Sequence, residues 1–440
     1  MSRALLAALL AALAVAAPAA AQNGTVRGVG TGYPIAGPVF GGGEMVWVER
    51  EGLDVRLVGG DVGRPAQVLA TVSSPLSWDG VHPAFGASDT TVLLWAMFTV
   101  RAKGSEEPVG VEASAGPRGA LRRLSGDAAV AYRFPRLVGD RVAYIVGLPG
   151  DAWVARFLDP VTGARTDVPT ASVIYPWSAA GDVLAHLAPT EAREPVVTNW
   201  RTGEELYRPG LPEGWQPSAV DVMPDGTAVW SASVVEGGVR RYVHGVSTPA
   251  QPAVRPIPLL DGSLVHELAA GRVLYRSQSE WAVADLEGRV LARVPAQVTS
   301  IPPGTDGRRI GYVTRPCAVA VVHVYEIDNP PEPKGVAPAP CPAARVAGRP
   351  SVGRDGLRIP VRCDTGASMG CLSDVYVAVK RRGRRRPQRY VLVQHALEAG
   401  ETDVLTVGRR RSLRGRLRVR IVVQEPEGDG QAVSRFRLRG

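Results

Sequence analysis

The stretch "PDGTAVWS" (Pro224–Ser231) decides how this chain is read. A Pro-Asp-Gly turn opens directly into an apolar strand that carries a large aromatic residue. The same phrase recurs in both directions. Upstream it is "GEMVWV" at Gly43, "SDTTVLLW" at Ser88, "GDRVAYIV" at Gly139 and "GDVLAHL" at Gly181. Downstream it is "GRVLYRS" at Gly271 and "DGRRIGYV" at Asp306. With Val46, Val92, Val142, Val183, Val229, Val273 and Ile310 taken as equivalent, the spacings are 46, 50, 41, 46, 44 and 37 residues.

A second phrase sits at a constant place inside these units. "FLDPVTGART" (Phe157–Thr166), "VTNWRTGEELY" (Val197–Tyr207) and "VADLEGRVLA" (Val283–Ala292) each read strand, turn with glycine, strand. Alternation on both sides marks a hairpin, and the glycine supplies the positive φ of its turn. Seven units near 44 residues match the period of four-stranded propeller blades. One blade leaves both faces bare, whereas a ring of blades covers each with the next. The hairpin is then the joint between the third and outer strands. Trp47, Trp95, Tyr144, Trp230, Tyr275 and Tyr312 fall at related positions and read as packing between blades. The expected class is all-β, with about seven propeller blades followed by a small β-sandwich.

The "PDG" turn and the "D-x-x-T-G" hairpin resemble those of TolB-like and related six- to eight-bladed propellers of secreted bacterial proteins. The resemblance covers Pro38–Gly335 and is one of architecture, so it carries no catalytic residue with it. The Gly-His and Trp-Asp dipeptides of true WD repeats are missing from their expected places.

Beyond the repeats, "NPPEPKGVAPAP" (Asn329–Pro340) is a stiff, extended connector. After it come "LRIPVRC", "DVYVAVK", "QRYVLVQ", "DVLTV", "RLRVRIVV" and "VSRFRLR", alternating strands of a small sandwich. This segment resembles the immunoglobulin- or fibronectin-like modules that end many secreted actinobacterial proteins. The expected organisation is a signal peptide over 1–21, an N-terminal segment over 22–37, the propeller over 38–328, the connector over 329–344 and the sandwich over 345–440.

Export is read from the first residues. Arg3 precedes the apolar run "ALLAALLAALAVAA", and the small residues of "AAPAAAQ" place cleavage after Ala21. No later stretch approaches the length of a membrane span. The expected location is therefore secreted or extracytoplasmic. Four cysteines in such a chain favour disulfides. The local pairing is Cys363 with Cys371, leaving Cys317 with Cys341 to tie the last blade to the connector. Spacings of 8 and 24, with His395 the sole histidine of the tail, do not suit zinc.

Charge is uneven. From Arg345 onward there are 22 Lys and Arg against 9 Asp and Glu, while the rest of the chain carries 29 against 33. Only Lys103, Lys334 and Lys380 are lysines, so part of the arginine richness reflects a GC-rich genome. Lys380, Arg381, Arg382, Arg384, Arg385 and Arg386 form a hairpin tip. Arg416, Arg418 and Arg420 share one strand face at period two. Together they are a candidate anion-binding surface beside the plain reading of a solvated basic face.

Catalytic sets are hard to assemble. "GASMG" imitates a hydrolase elbow at Ser368, but it lies in a turn between two cysteines rather than between strand and helix. The six histidines show no metal-binding spacing, and no glycine-rich loop opens a helix. No metal or cofactor is expected. Trp78, His82, Tyr175, Trp177 and Trp215 lie in connections entering new units, on the face where propellers gather ligands. They could ring the channel mouth and contact a protein or glycan, or simply plug the blades. Binding is favoured over catalysis, with an anionic envelope polymer or lipid headgroups as the partner of the basic tail. A polysaccharide lyase or hydrolase at the channel mouth is the alternative. Nucleic acid is the weaker partner because an exported chain rarely meets it.

Overall fold

A computed structural model describes residues 23–30, 32–41, 44–51, 54–73, 83–87, 94–101, 108–114, 121–123, 132–139, 141–148, 152–159, 162–171, 177–190, 193–277, 280–294, 301–315, 317–330, 341–367, 369–384, 386–408, 413–424 and 431–439. The expected signal peptide, Trp78, His82, Val92, Tyr175, Ser368, Arg385 and most of the connector lie outside these residues. Helix among the described residues is limited to short 3₁₀ turns such as Pro258–Leu260. None is long and apolar enough to cross a membrane.

The first strand, β1 (Gly24–Arg27), is set apart from its neighbours in sequence. Six antiparallel sheets then follow in strict chain order. They are β2 (Tyr33–Gly41), β3 (Glu44–Glu51), β4 (Asp54–Gly60) and β5 (Gln67–Ser73); β6 (Pro83–Ala87), β7 (Leu94–Arg101), β8 (Pro108–Ser114) and β9 (Leu121–Arg123); and β10 (Tyr132–Val138), β11 (Arg141–Leu148), β12 (Ala152–Leu158) and β13 (Arg165–Thr170). After these come β14 (Ser178–Ala180), β15 (Val183–Leu187), β16 (Pro195–Asn199) and β17 (Glu205–Tyr207); β18 (Gln216–Val222), β19 (Ala228–Glu236), β20 (Val239–Thr248) and β21 (Gln251–Pro256); and β22 (Leu264–Ala269), β23 (Arg272–Ser277), β24 (Glu280–Asp285) and β25 (Val290–Arg293). A seventh sheet holds β26 (Gly304–Thr305), β27 (Arg309–Thr314) and β28 (Val321–Glu326), and β1 completes it. The first strand of each sheet meets the first strand of the next, and β26 returns to β2. The sheets therefore close into a propeller with these strands innermost.

One boundary differs from the sequence reading. Residues 22–37 are not a separate segment. Gly24–Arg27 pairs with β28, Gly24 opposite Val324 and Arg27 opposite Val321, while Tyr33 already opens the first sheet. Without β1 the outer edge of the last sheet would be a row of unpaired backbone groups. Asn23 locks this joint. Its side-chain amide donates to Asn329 O at 3.0 Å and its carbonyl accepts from Glu326 N at 2.9 Å.

The second strand of each sheet explains the repeated phrase. Both faces of it are buried, so it reads as a continuous apolar run. Ala228 and Trp230 of β19 pack toward the preceding sheet with Val183, Val197 and Val220. Val229, between them, packs toward the next sheet with Val273 and Tyr275. Trp47, Tyr144, Trp230, Tyr275 and Tyr312 are all buried. Trp95 is placed on β7.

The hairpins follow from their letters. Asp159 Oδ1 accepts from Thr162 N at 3.0 Å, and Asn199 Oδ1 accepts from Arg201 N and Thr202 N at 2.9 and 3.1 Å. Gly163 and Gly203 close the two turns at φ 77° and 76°, where a side chain would be strained.

The tail holds β29 (Arg345–Val346), β30 (Ser351–Val352), β31 (Leu357–Arg362), β32 (Cys371–Arg381), β33 (Gln388–Leu397), β34 (Thr402–Val407), β35 (Arg416–Gln424) and β36 (Gln431–Arg439). One sheet joins β29, β31, β30 and β34, and the other runs β33-β32-β35-β36. Ile359, Val361 and Leu405 of the first meet Val375, Val377, Ile421 and Val423 of the second in a single core. The disulfide Cys363–Cys371, with Cα atoms 5.6 Å apart, links the end of β31 to the start of β32 and so joins the two sheets. Cys317–Cys341, at 5.4 Å, ties the β27–β28 loop to the residue range that enters the sandwich.

Candidate functional site

The basic residues of the tail converge because of strand register. Lys380 of β32 stands opposite Arg418 of β35, which stands opposite Arg437 of β36. One row along, Arg416 faces Arg439, and on the other side Arg420 faces Arg435. On β35 the alternation is strict. Leu417, Val419 and Ile421 are buried while Arg416, Arg418 and Arg420 are exposed. The β32–β33 tip borders the same cleft, with Arg382 N extending the ladder to Arg416 O at 3.1 Å and Gly383 turning at φ 85°.

Together these residues border a cleft of about 890 Å³. Arg349, Lys380, Arg381, Arg382, Arg384, Arg416, Arg418, Arg437 and Arg439 line it, with Gly383, Leu417 and Leu438 between them and no acidic side chain. Among the described residues, Arg345 pairs with Asp364 away from this face, and His395 Nε2 lies 3.4 Å from Asp403 Oδ2 with its pKa lowered by desolvation. Arg386 and Arg420 lie outside the lining, and Arg385 is outside the described residues. Arg349, Arg437 and Arg439 belong to the cleft although the sequence reading passed them over. "RFRLR" carries the period-two signal of Arg437 and Arg439, but only the pairing of β36 with β35 brings them to Arg416 and Arg418, while Arg349 lies outside that motif and donates from Nη2 to Arg437 O at 3.1 Å.

A second polar cluster lines the inner strands of the propeller. Asp221 of β18 is its hub. Its Oδ1 accepts from Ser178 Oγ at 2.6 Å and from Arg136 Nη1 at 3.4 Å, and its Oδ2 from Leu268 N at 2.6 Å. One carboxylate thus joins four consecutive sheets. Next to it, Glu267 of β22 accepts from Thr305 N at 2.9 Å. Burial pushes the Glu267 carboxyl up to about 8, against the opposing pull of the Thr305 N–H, with the Asp221 charge adding to the rise. Glu267 is partly open to the channel yet enclosed by protein on the scale that governs its ionisation. His266 faces the same channel, edge-on to Trp281 at 5.4 Å. Desolvation lowers its pKa against the pull of Asp221.

Of the expected mouth residues, Trp177 and Trp215 fall among the described residues, and Trp177 borders this cluster through Arg136. Trp177 is buried at the joint of the third and fourth sheets, with the Arg136 guanidinium 5.6 Å above its ring. Trp215 packs half-buried at the next joint, beside Leu211 and Tyr207. Three histidines serve the blades. His186 is pushed down to about 4 by burial, His244 is held between Ser231 Oγ and Ser263 O, and His323 stacks on Tyr312 at 4.7 Å. Among the described residues no three His, Cys, Asp or Glu side chains converge as a metal site would require.

No protein-family model matches the chain, and no curated protein does. Solved structures are similar at low identity. The β-propeller domain of the trilobed protease from Pyrococcus furiosus is 9% identical, with 64% of this chain covering 91% of that one at a TM-score of 0.43. TolB from Acinetobacter baumannii is 12% identical, with 64% covering 79% at 0.37. A puromycin hydrolase is 16% identical, with 75% covering 58% at 0.46.

Proposed function

We propose that this protein is an exported, non-catalytic binding protein of the cell envelope. Its propeller offers a docking face to a protein or glycan, and the basic sheet of the sandwich holds it on an anionic partner. The observation that supports this most directly is the set of opposed arginine rows with no carboxylate among them. Like charges directly opposite each other weaken a sheet, by roughly 0.2–1 kcal/mol a pair. A bound anion removes that penalty and adds charge-assisted hydrogen bonds to each guanidinium. Two disulfides support an oxidising compartment.

Retention of the full chain on isolated cell envelopes tests the anchor. It should fall steeply as salt rises from about 0.05 to about 0.5 M; retention indifferent to salt would sink it. The alternative, a polysaccharide-acting enzyme, draws on the Glu267 carboxyl kept protonated beside Asp221. Turnover on a broad panel of polysaccharides and esters, lost in Glu267→Gln or Trp177→Ala, would establish it in place of the binding reading. Absence of turnover leaves the binding reading.

A further inference from the structure

We infer that the arginine cleft takes a linear phosphodiester polymer with small polyol linkers, running along β35. This rests on the anion-binding reading above and names its ligand.

The first argument is shape. The charged residues border a concave space of about 890 Å³ walled by the hairpin tip and Arg349. A bilayer surface cannot enter such a space, whereas a thin chain can. The second is spacing. Arg416 and Arg418 are two residues apart on an extended strand, so their guanidinium roots repeat every ~6.8 Å. Two strand residues contain six backbone bonds. A phosphodiester chain with a three-carbon linker also has six bonds from one phosphorus to the next. Each successive phosphate therefore meets a successive arginine row. Across the strands, ~4.8 Å apart, Arg437 and Arg439 lie within reach of the same phosphates. Each row then grips one phosphate from two sides, which suits the forked guanidinium.

The third argument separates this polymer from nucleic acid, whose backbone has the same bond count. Single strands are held by aromatic side chains on which bases stack. The cleft lining holds arginine, lysine, glycine and leucine, and no aromatic ring. It is equipped for the backbone and not for bases.

Titration of the full chain with four probes tests this. The probes are synthetic poly(glycerol phosphate), an oligodeoxyribonucleotide of equal charge, polygalacturonate and phosphatidylglycerol vesicles. Poly(glycerol phosphate) should bind most tightly. Arg418→Gln/Arg437→Gln should weaken it about tenfold and lower the slope of log K against log salt by about 2. Arg437→Gln alone should lower the slope by about half as much. Arg165→Gln/Arg240→Gln removes the same charge from exposed positions on the propeller and should leave Kd within about twofold. Equal or tighter binding of any other probe overturns the inference and leaves the anion-binding reading standing. No binding of all four removes both.

Discussion

At the scale of single residues, the channel carboxylates carry the sharpest prediction. Glu267 is held protonated by burial, with its pKa raised to about 8. In the unfolded chain it titrates at its ordinary value near 4.5. Between these values the folded state binds the extra proton, so stability is full below the unfolded value and falls as pH rises through the folded one. Asp221 and Asp306 add to the rise, while the Thr305 N–H and Arg136 oppose it. Glu267→Gln keeps the size and the acceptor for Thr305 N while removing the ionisation. The variant should melt above the parent at pH 9, by on the order of 2 kcal/mol once channel water is allowed for, and should match it near pH 4. Thermal unfolding at the two pH values measures this. Neither Asp221 nor Glu267 stood out in the sequence. The hub exists only because successive inner strands face one channel.

Among elements, the seam between the first and last sheets is the most sensitive. A Cβ on Gly37 would overlap Pro302 O, and one on Gly304 would overlap Pro38 O. Both glycines let β2 and β26 meet backbone to backbone. Gly304→Ala must push the seam apart, at about 1–3 kcal/mol. Denaturant unfolding should show that loss, while Gly262→Ala, where a Cβ meets nothing but φ is 75°, should cost only the local backbone strain of about 1 kcal/mol. The repeated second strands and the Gly hairpins were legible because local chemistry makes them: two buried faces give an apolar run, and an Asx turn needs its glycine. β1 was not legible. It has four residues, and its partner β28 lies some 300 residues away in sequence.

For the whole molecule, two covalent ties act on different bodies. Cys363–Cys371 joins the two sheets of the sandwich, and Cys317–Cys341 joins the sandwich entry to the propeller. Cys363→Ser/Cys371→Ser should destabilise the sandwich by about 2–5 kcal/mol and leave the melting of the propeller in place. Calorimetry should then separate two transitions where the parent shows less separation. The pairing was readable from chain order, since both bridges are local. The all-β class, the propeller period, the hairpins and the basic strand of the tail likewise follow from patterns a few residues long, because turns and alternation are local physics. Closure of the ring by β1, the Asp221 hub and the arginine cleft depend on which distant strands become neighbours. That choice is made by burial of whole sheet faces, and no short window of the chain records it.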